Sequence, residues 1–376
     1  MIDWNAIVAG QREAWVLGAT AALGLAFGVL AQGSRFCFLR ALQAAFARTQ
    51  PGPLRLFAVA MATALVGSQW LAGAADVNLG QSLYAQSRLS LVALLLGGLL
   101  FGYGMALANA CGARSLVLLG SGNLRSLVTL LCLAVGAAAT LSGVLAPLRI
   151  RLTEATQTEL PAATLPSLIA WLVPLSQPVP AAAWRWACVV LLLAALLGWA
   201  LTRRSMPTST TATTAAPLSA RASPARALLP GVLIGLLVPL GWWITGRLGA
   251  DDFEPVPLGS LTFVAPVAQS LQYLQLSTGI GASTGTVLCA GVLVGALASA
   301  LVRREFEWQG FTTAAQTGRS IVGGTLMGVG GVLALGCSIG QGLTGFSTLA
   351  LSTYPALAGI VAGAWLAWRT SAREGQ

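Results

Sequence analysis

Three cysteines of this chain stand where an apolar run breaks. Cys37 lies in FGVLAQGSRFCFLRAL, Cys111 in ALANACGARS and Cys337 in LALGCSIGQG. Each has a glycine within four residues and a polar or charged neighbour. A neutral thiol is a weak donor on a soft, polarisable sulfur. A bare dianion moved into a dry interior loses hydration worth roughly tens of kcal/mol. It needs donors along its whole path and no single deep well, because conduction requires leaving as well as entering. A ladder of S–H groups, helped by amide N–H groups at half-helix N-termini, suits a sulfur-bearing anion. Two other readings of the same residues stay open. They are packing cysteines at crowded helix ends, or nucleophiles of a membrane thiol oxidoreductase or persulfide-transfer protein.

The neighbours of these cysteines complete the candidate pathway. Arg35 and Arg114 stand closest to the motif thiols and could attract an anion. Asn109 and Ser115 flank the first-half break, and Ser338, Gln341, Thr344 and Ser347 follow the second. Gln341, between Gly340 and Gly342, is the preferred substrate-facing residue of this set. Gly102, Gly104, Gly112, Gly328, Gly330, Gly336 and Gly340 are read as the backbone of the helix breaks, with close helix packing as the alternative for Gly102, Gly104, Gly328 and Gly330. Cys132, Cys188 and Cys289 sit inside apolar spans and read as small buried hydrophobes. No metal site is expected, since the chain has neither histidine nor a CxxC pair. No cofactor is expected, and no GxxxxGK[ST] nucleotide loop occurs.

Two copies of one sentence must position these groups. Residues 97–111, GGLLFGYGMALANAC, and residues 323–337, GGTLMGVGGVLALGC, share Gly97/Gly323, Gly98/Gly324, Leu100/Leu326, Gly102/Gly328, Gly104/Gly330, Leu107/Leu333, Ala108/Ala334 and Cys111/Cys337 at a fixed offset of 226. Cys37 has no evident second copy. The setting is a membrane: 56% of the 376 residues are hydrophobic and 9% charged, with mean hydropathy +0.78. All 21 basic residues are arginine, none of the eleven acids lies inside an apolar run, and the net charge of +10 tilts the balance toward an anion.

The expected fold is all-α: a polytopic bundle of about nine transmembrane helices, at 15–33, 54–74, 89–109, 125–146, 184–202, 228–247, 286–302, 320–336 and 354–368. The pieces 113–119, 165–175, 259–276 and 338–352 read as half-helices or interfacial segments. Residues 1–202 form a first membrane half, 203–227 a flexible polar linker and 228–376 a second half. The positive-inside rule puts the arginine loops at 35–55, 203–226 and 303–319 and the C-terminal tail in the cytoplasm. The N-terminus and the acidic loops at Asp76 and Asp251–Glu254 fall outside, with Arg149 and Arg151 against the trend. No basic region precedes the first apolar run, so that run is expected to be a retained helix rather than a cleaved leader. The two copies then run in opposite directions, as an inverted repeat with its site near the bilayer midplane.

GYGMALANACGARSLVLLGSGNLRSL and GGTLMGVGGVLALGCSIGQGLTGFSTLAL resemble the paired signatures of the YeeE/YedE family of sulfur-transport membrane proteins, and GSRFCFLRAL and REFEWQGF resemble further family stretches. The resemblance covers most of the chain apart from the linker and residues 150–180. It implies a bacterial inner-membrane importer of thiosulfate or a related sulfur anion, with the fold of an hourglass-shaped bundle. It places the family's three transport cysteines on Cys37, Cys111 and Cys337, where the ion passes through S–H···S contacts without being consumed. Some members work with a small cytoplasmic TusA-like sulfur-carrier protein. Asn109–Ala110 stands where many members are glycine-rich, which bears on pocket size and so on substrate identity.

Overall fold

A computed structural model describes residues 4–47, 52–74, 77–173, 180–202, 224–250, 256–311 and 313–374. Most of the linker (203–223), Asp76 and Asp251–Glu254 lie outside these described residues. Fourteen α-helices form the described bundle: α1 (Trp4–Ser34), α2 (Phe38–Phe46), α3 (Gly52–Ala74), α4 (Leu91–Ala108), α5 (Gly112–Gly120), α6 (Leu124–Leu141), α7 (Ala146–Ala155), α8 (Leu165–Leu172), α9 (Ala181–Thr202), α10 (Pro224–Trp243), α11 (Val264–Leu276), α12 (Thr284–Val302), α13 (Ala314–Leu333) and α14 (Thr353–Glu374). A further short helix spans 338–347, most of it wound as the π-helical stretch Gly340–Gly345. A two-stranded ribbon, β1 (Arg88–Ser90) with β2 (Gln157–Glu159), is the sheet among the described residues.

The protein is an all-α, multi-pass membrane protein. A long helix lies over each of the nine apolar runs. Among the described residues, six segments are both long and apolar enough to cross a bilayer: those of α1, α3, α4, α6, α10 and α12. The count of nine crossings therefore does not follow from length and apolarity; α9, α13 and α14 fall outside that set. The bundle's exterior is apolar, with Trp15, Leu131, Val135, Val190 and Val294 exposed, as a lipid-facing surface requires. The half-helices expected at 113–119, 165–175, 259–276 and 338–352 correspond to α5, α8, α11 and the 338–347 helix. One more, α2, occupies residues read from sequence as loop: Arg40 interrupts a nine-residue apolar face that buries Phe38, Leu39, Ala41 and Leu42.

Glycine sets how closely the helices approach. A methyl group on Gly97 would lie 2.7 Å from Gly330 O, and one on Gly104 would lie 2.6 Å from Gly323 O. The 226-residue offset turns the pair 97–330 into 323–104, so α4 and α13 meet through one surface used twice, in opposite directions. The flanking pairs exchange in the same way. Gly98 faces Ala356 O, Gly359 Cα and Ile360 N on α14, and Gly324 faces Thr129 O, Cys132 Cβ and Leu133 N on α6. Each of those partners differs by 227 residues (356 against 129). Likewise α1 packs on α12 and α3 on α10. Gly102, Gly104, Gly328 and Gly330 are thus in helix interiors, not at breaks as sequence suggested: their missing Cβ atoms let backbones touch.

Among the described residues, the arginine loops at 35–55 and 303–319 meet each other and the C-terminal helix at one end of the bundle. A Cβ on Gly33 would meet the Arg303 guanidinium at 2.5 Å, and Phe46 rests on Trp368, ring centroids 6.0 Å apart. Asn123 Nδ2 donates to Gln309 Oε1 at 2.9 Å, tying the α5–α6 turn to the same end.

Candidate functional site

Each motif cysteine is the last extended residue before a short helix. Cys37 (φ −162°, ψ 126°) precedes α2, Cys111 (φ −85°, ψ 170°) precedes α5, and Cys337 precedes the 338–347 helix. The chain reaches them through left-handed residues. Asn109 closes α4 at φ 57°, and Leu335, 226 residues on, has φ 56°. Asparagine tolerates that conformation, whereas leucine pays about 1–2 kcal/mol for it, so the surrounding packing enforces the second break. An N-cap side chain ordinarily accepts a backbone N–H of the first turn. At Cys337 the sulfur takes that part: Gly340 N–H donates to Sγ at 3.2 Å, and the N–H groups of Ile339 and Phe263 are also turned toward it. The N–H groups of Leu39 and Arg40 are turned toward Cys37 Sγ, although neither closes a regular cap hydrogen bond. Where backbone donors occupy a sulfur's lone pairs, its S–H remains available to another acceptor.

Cys111 has both of the other motif cysteines as neighbours. Cys37 and Cys111 line one small chamber with Phe27, Phe36, Arg114 and Ile339. Its volume of about 10 Å³ holds at most a single water, so no open passage runs between these two thiols. Cys337 has Cys111, Tyr84 and Cys289 among its neighbours. All three motif cysteines are buried, and all six cysteines of the chain are free thiols.

Positive charge stands both at the Cys37–Cys111 chamber and in a larger cavity near the second break. Arg114 lines the Cys37–Cys111 chamber, with Nη1 3.5 Å from Ala31 O and with Arg35 and Arg40 as charged neighbours. The larger cavity is a vestibule of about 450 Å³, whose lining includes Arg149, Tyr84, Thr262, Gln269, Thr20 and Gly336. Arg149 Nε and Nη2 donate to Thr140 O (3.0 Å) and Leu141 O (3.4 Å) at the C-terminus of α6. Those bonds hold the guanidinium in place without using all five of its N–H groups. Thr20 Oγ1, buried in the lining, has no hydrogen-bond partner among the described residues. Gly336 joins the vestibule to the second break.

The polar residues expected on the pathway divide into two groups. Gln341 is fully buried, its Nε2 donates to Ala334 O at 2.5 Å, and its Oε1 is unpartnered among the described residues. Ser338 and Ser115 are also buried with unpartnered hydroxyls. These groups keep hydrogen-bonding capacity beside Cys337 and Cys111. Thr344 and Ser347 are satisfied by structure: Thr344 Oγ1 donates to Leu261 O, Ser347 Oγ donates to Thr344 O, and Trp242 Nε1 donates to Ser347 Oγ. Asn109 is exposed and serves as the left-handed cap of α4, and Arg35 is exposed with φ 53°. Gly112 opens α5, and Gly340 sits where a Cβ would press on Thr262 Oγ1 (2.9 Å) and Tyr84 OH (3.2 Å).

Tyr84, Arg149 and Phe263 were not singled out from sequence. Arg149 had one signal, an arginine on the wrong side of the charge pattern. Phe263 had a fainter one. Gly259–Ser260 repeats Gly33–Ser34 at the 226-residue offset, which sets Phe263 opposite Cys37. Tyr84 had none.

A family model described as Sulphur transport matches residues 33–366. The chain belongs to that family. Within the sulphur-transport proteins it is 33% identical to the thiosulfate transporter TsuA of Escherichia coli (strain K12) over 136 residues, 36% of this chain and 36% of that protein. It is 42% identical to the thiosulfate transporter TsuA of Spirochaeta thermophila (strain ATCC 700085 / DSM 6578 / Z-1203) over 82 residues, 21% of this chain and 24% of that one. The matched stretch therefore spans well under two thirds of either relative.

Proposed function

We propose that this sulphur-transport protein imports thiosulfate, or a closely related sulfur anion, along the row Cys337–Cys111–Cys37. The observation that carries the reading is the position of Cys111, beside Cys37 in one chamber and with Cys337 as a further neighbour. The names of the relatives supply the substrate. The anion collects in the vestibule near Arg149, passes from one S–H donor to the next, and leaves toward Arg114 and Arg40. Each thiol donates weakly, so no step is a trap. The ion is carried and not consumed. The two halves, 1–202 and 228–376, are joined by the linker 203–227 and pivot about the α4–α13 contact; the exchange of glycine pairs supports this division. The chain lies in a bacterial inner membrane with its N-terminus periplasmic and its C-terminus cytoplasmic. Support comes from the arginine loops sharing one end of the bundle. The vestibule then faces the periplasm, and a TusA-like carrier would collect sulfur at the Arg40 end.

The test is growth. A bacterium lacking sulfate uptake, supplied with thiosulfate as its sole sulfur source, grows with this chain and fails without it. Equal growth in both strains refutes the reading. Mass spectrometry of the cysteines after exposure to thiosulfate distinguishes carriage from covalent chemistry. Unmodified thiols with intact flux are expected, and a stable persulfide or mixed disulfide would assign the enzyme alternative instead.

Arg114 provides a graded check. Arg114→Gln removes the cation at the chamber and lowers uptake by about tenfold, the size of a single charge contact of roughly 1–2 kcal/mol at a partly buried site. Arg114→Lys keeps the charge and recovers most of the flux. Initial rates of radiolabelled uptake measure both, and equal rates for Gln and Lys would remove the charge from the mechanism.

A further inference from the structure

The repeat that supplies two cysteines withholds a fourth. Cys37 and Cys111 each cap a short helix in the first half, and Cys337 answers Cys111 in the second. The station answering Cys37 belongs to Phe263, which precedes α11 as Cys37 precedes α2, behind the repeated Gly–Ser pair. The surroundings exchange too: α2 packs on α3 and α14, and α11 packs on α12 and α6. Phe263 is fully buried, its N–H is turned toward Cys337 Sγ, and its ring packs against Phe27 with centroids 5.2 Å apart and the planes tilted by 36°. Phe27 in turn lines the Cys37–Cys111 chamber. The residues on either side of Phe263, Thr262 and Val264, line the vestibule, whereas Phe263 and Cys337 are fully buried and do not line it.

Taking the thiol row as the transport path, we propose that Phe263 is the vestibule-side gate, a phenyl ring set at the one station of the pseudo-symmetric path where a thiol is missing. The apolar pair, Phe263 on Phe27, stands between the vestibule lined by Leu23, Thr262 and Gly336 and the chamber lined by Phe27 and Ile339, beside Cys337. A dehydrated dianion gains nothing from those rings, so passage requires the Phe263 ring to swing away. The opposite end has a thiol and a guanidinium at the corresponding places, Cys37 and Arg114, so the two ends of a nearly symmetric path differ in how they admit an ion.

The gate is tested without transport. The full-length protein in detergent is exposed to a negatively charged methanethiosulfonate reagent, and labelling of each cysteine is followed by peptide mass spectrometry. In the native chain Cys337 labels slowly. Phe263→Ala accelerates Cys337 by about tenfold or more, because labelling no longer waits for an opening populated at about 10% or less. Cys188, buried in a separate cluster with Leu65 and Phe346, keeps its native rate. Phe263→Leu, which keeps most of the volume, gives a smaller acceleration at Cys337 alone, and Phe263→Trp gives none. If all the cysteines accelerate together in Phe263→Ala, the fold has loosened and the Leu variant decides: selective labelling of Cys337 supports the gate. An unchanged Cys337 rate in both Phe263→Ala and Phe263→Leu overturns it. The transport reading fails on a different observation, undiminished uptake by Cys337→Ala, so the two outcomes are separable.

Discussion

Cys337→Ala lowers thiosulfate uptake by about a hundredfold, the cost of deleting one donor from a water-excluded path for a charged species. Cys111→Ala does the same if, as proposed, the anion passes from Cys337 through Cys111 to Cys37, since Cys111 neighbours both. The serine variants separate chemistry from folding. At position 337 the side chain accepts the N–H of Gly340, and a serine hydroxyl is a better N-cap acceptor than a thiol. Cys337→Ser is therefore at least as stable as the native chain, while Cys337→Ala loses about 1 kcal/mol with the cap. Uptake should nevertheless rank Cys above Ser above Ala, since a hydroxyl donates but lacks the soft sulfur that matches a sulfur guest. Radiolabelled uptake and thermal unfolding in the same preparations read both orders. Uptake by Cys337→Ala and Cys111→Ala within twofold of native would leave the cysteines with a packing role only.

The second large effect concerns the fold. Gly104→Leu and Gly330→Leu each destabilise the protein by about 3 kcal/mol, the upper range for forcing atoms into a filled interior. The reason is backbone contact. A Cβ at Gly104 would lie 2.6 Å from Gly323 O, and one at Gly330 would lie 2.5 Å from Phe101 N and 2.6 Å from Gly97 O. Neither carbonyl can retreat without separating α4 from α13. The two losses should be equal within error, because the repeat puts both substitutions in the same surroundings. Gly18→Ala on α1, where a Cβ meets nothing within 4 Å, is the control and should be neutral or slightly stabilising. Thermal unfolding in detergent measures all three. A loss at one of the pair without the other would mean that the contact is not shared symmetrically.

Much of the candidate site could be read because its chemistry is local in sequence. A cysteine next to a glycine at the end of an apolar run marks a break, and three such cysteines mark a candidate row. Arg114 was legible for the same reason, being three residues from Cys111. The vestibule was not. Tyr84, Arg149, Thr262 and Thr20 come from four distant segments and converge only once the helices pack. Asn109 was read as substrate-facing because it adjoins Cys111, yet a left-handed cap turns it outward. Gln341, read from sequence as substrate-facing, lies buried in a π-wound turn between two glycines with its Oε1 unpartnered among the described residues.

What the residues determined by themselves was the membrane setting, the nine long helices, the repeat at an offset of 226 and the identity of the thiols that could act. Composition and spacing suffice for these, because hydrophobic length and helix-breaking glycine act on neighbours along the chain. Only the tertiary structure decided which glycines join helices, that Cys37 and Cys111 line one chamber, and that Phe263 packs on Phe27 beside it. Those outcomes depend on which backbones touch across an interface, and a pseudo-two-fold pairing of two half-chains places residues side by side that sequence leaves more than two hundred positions apart.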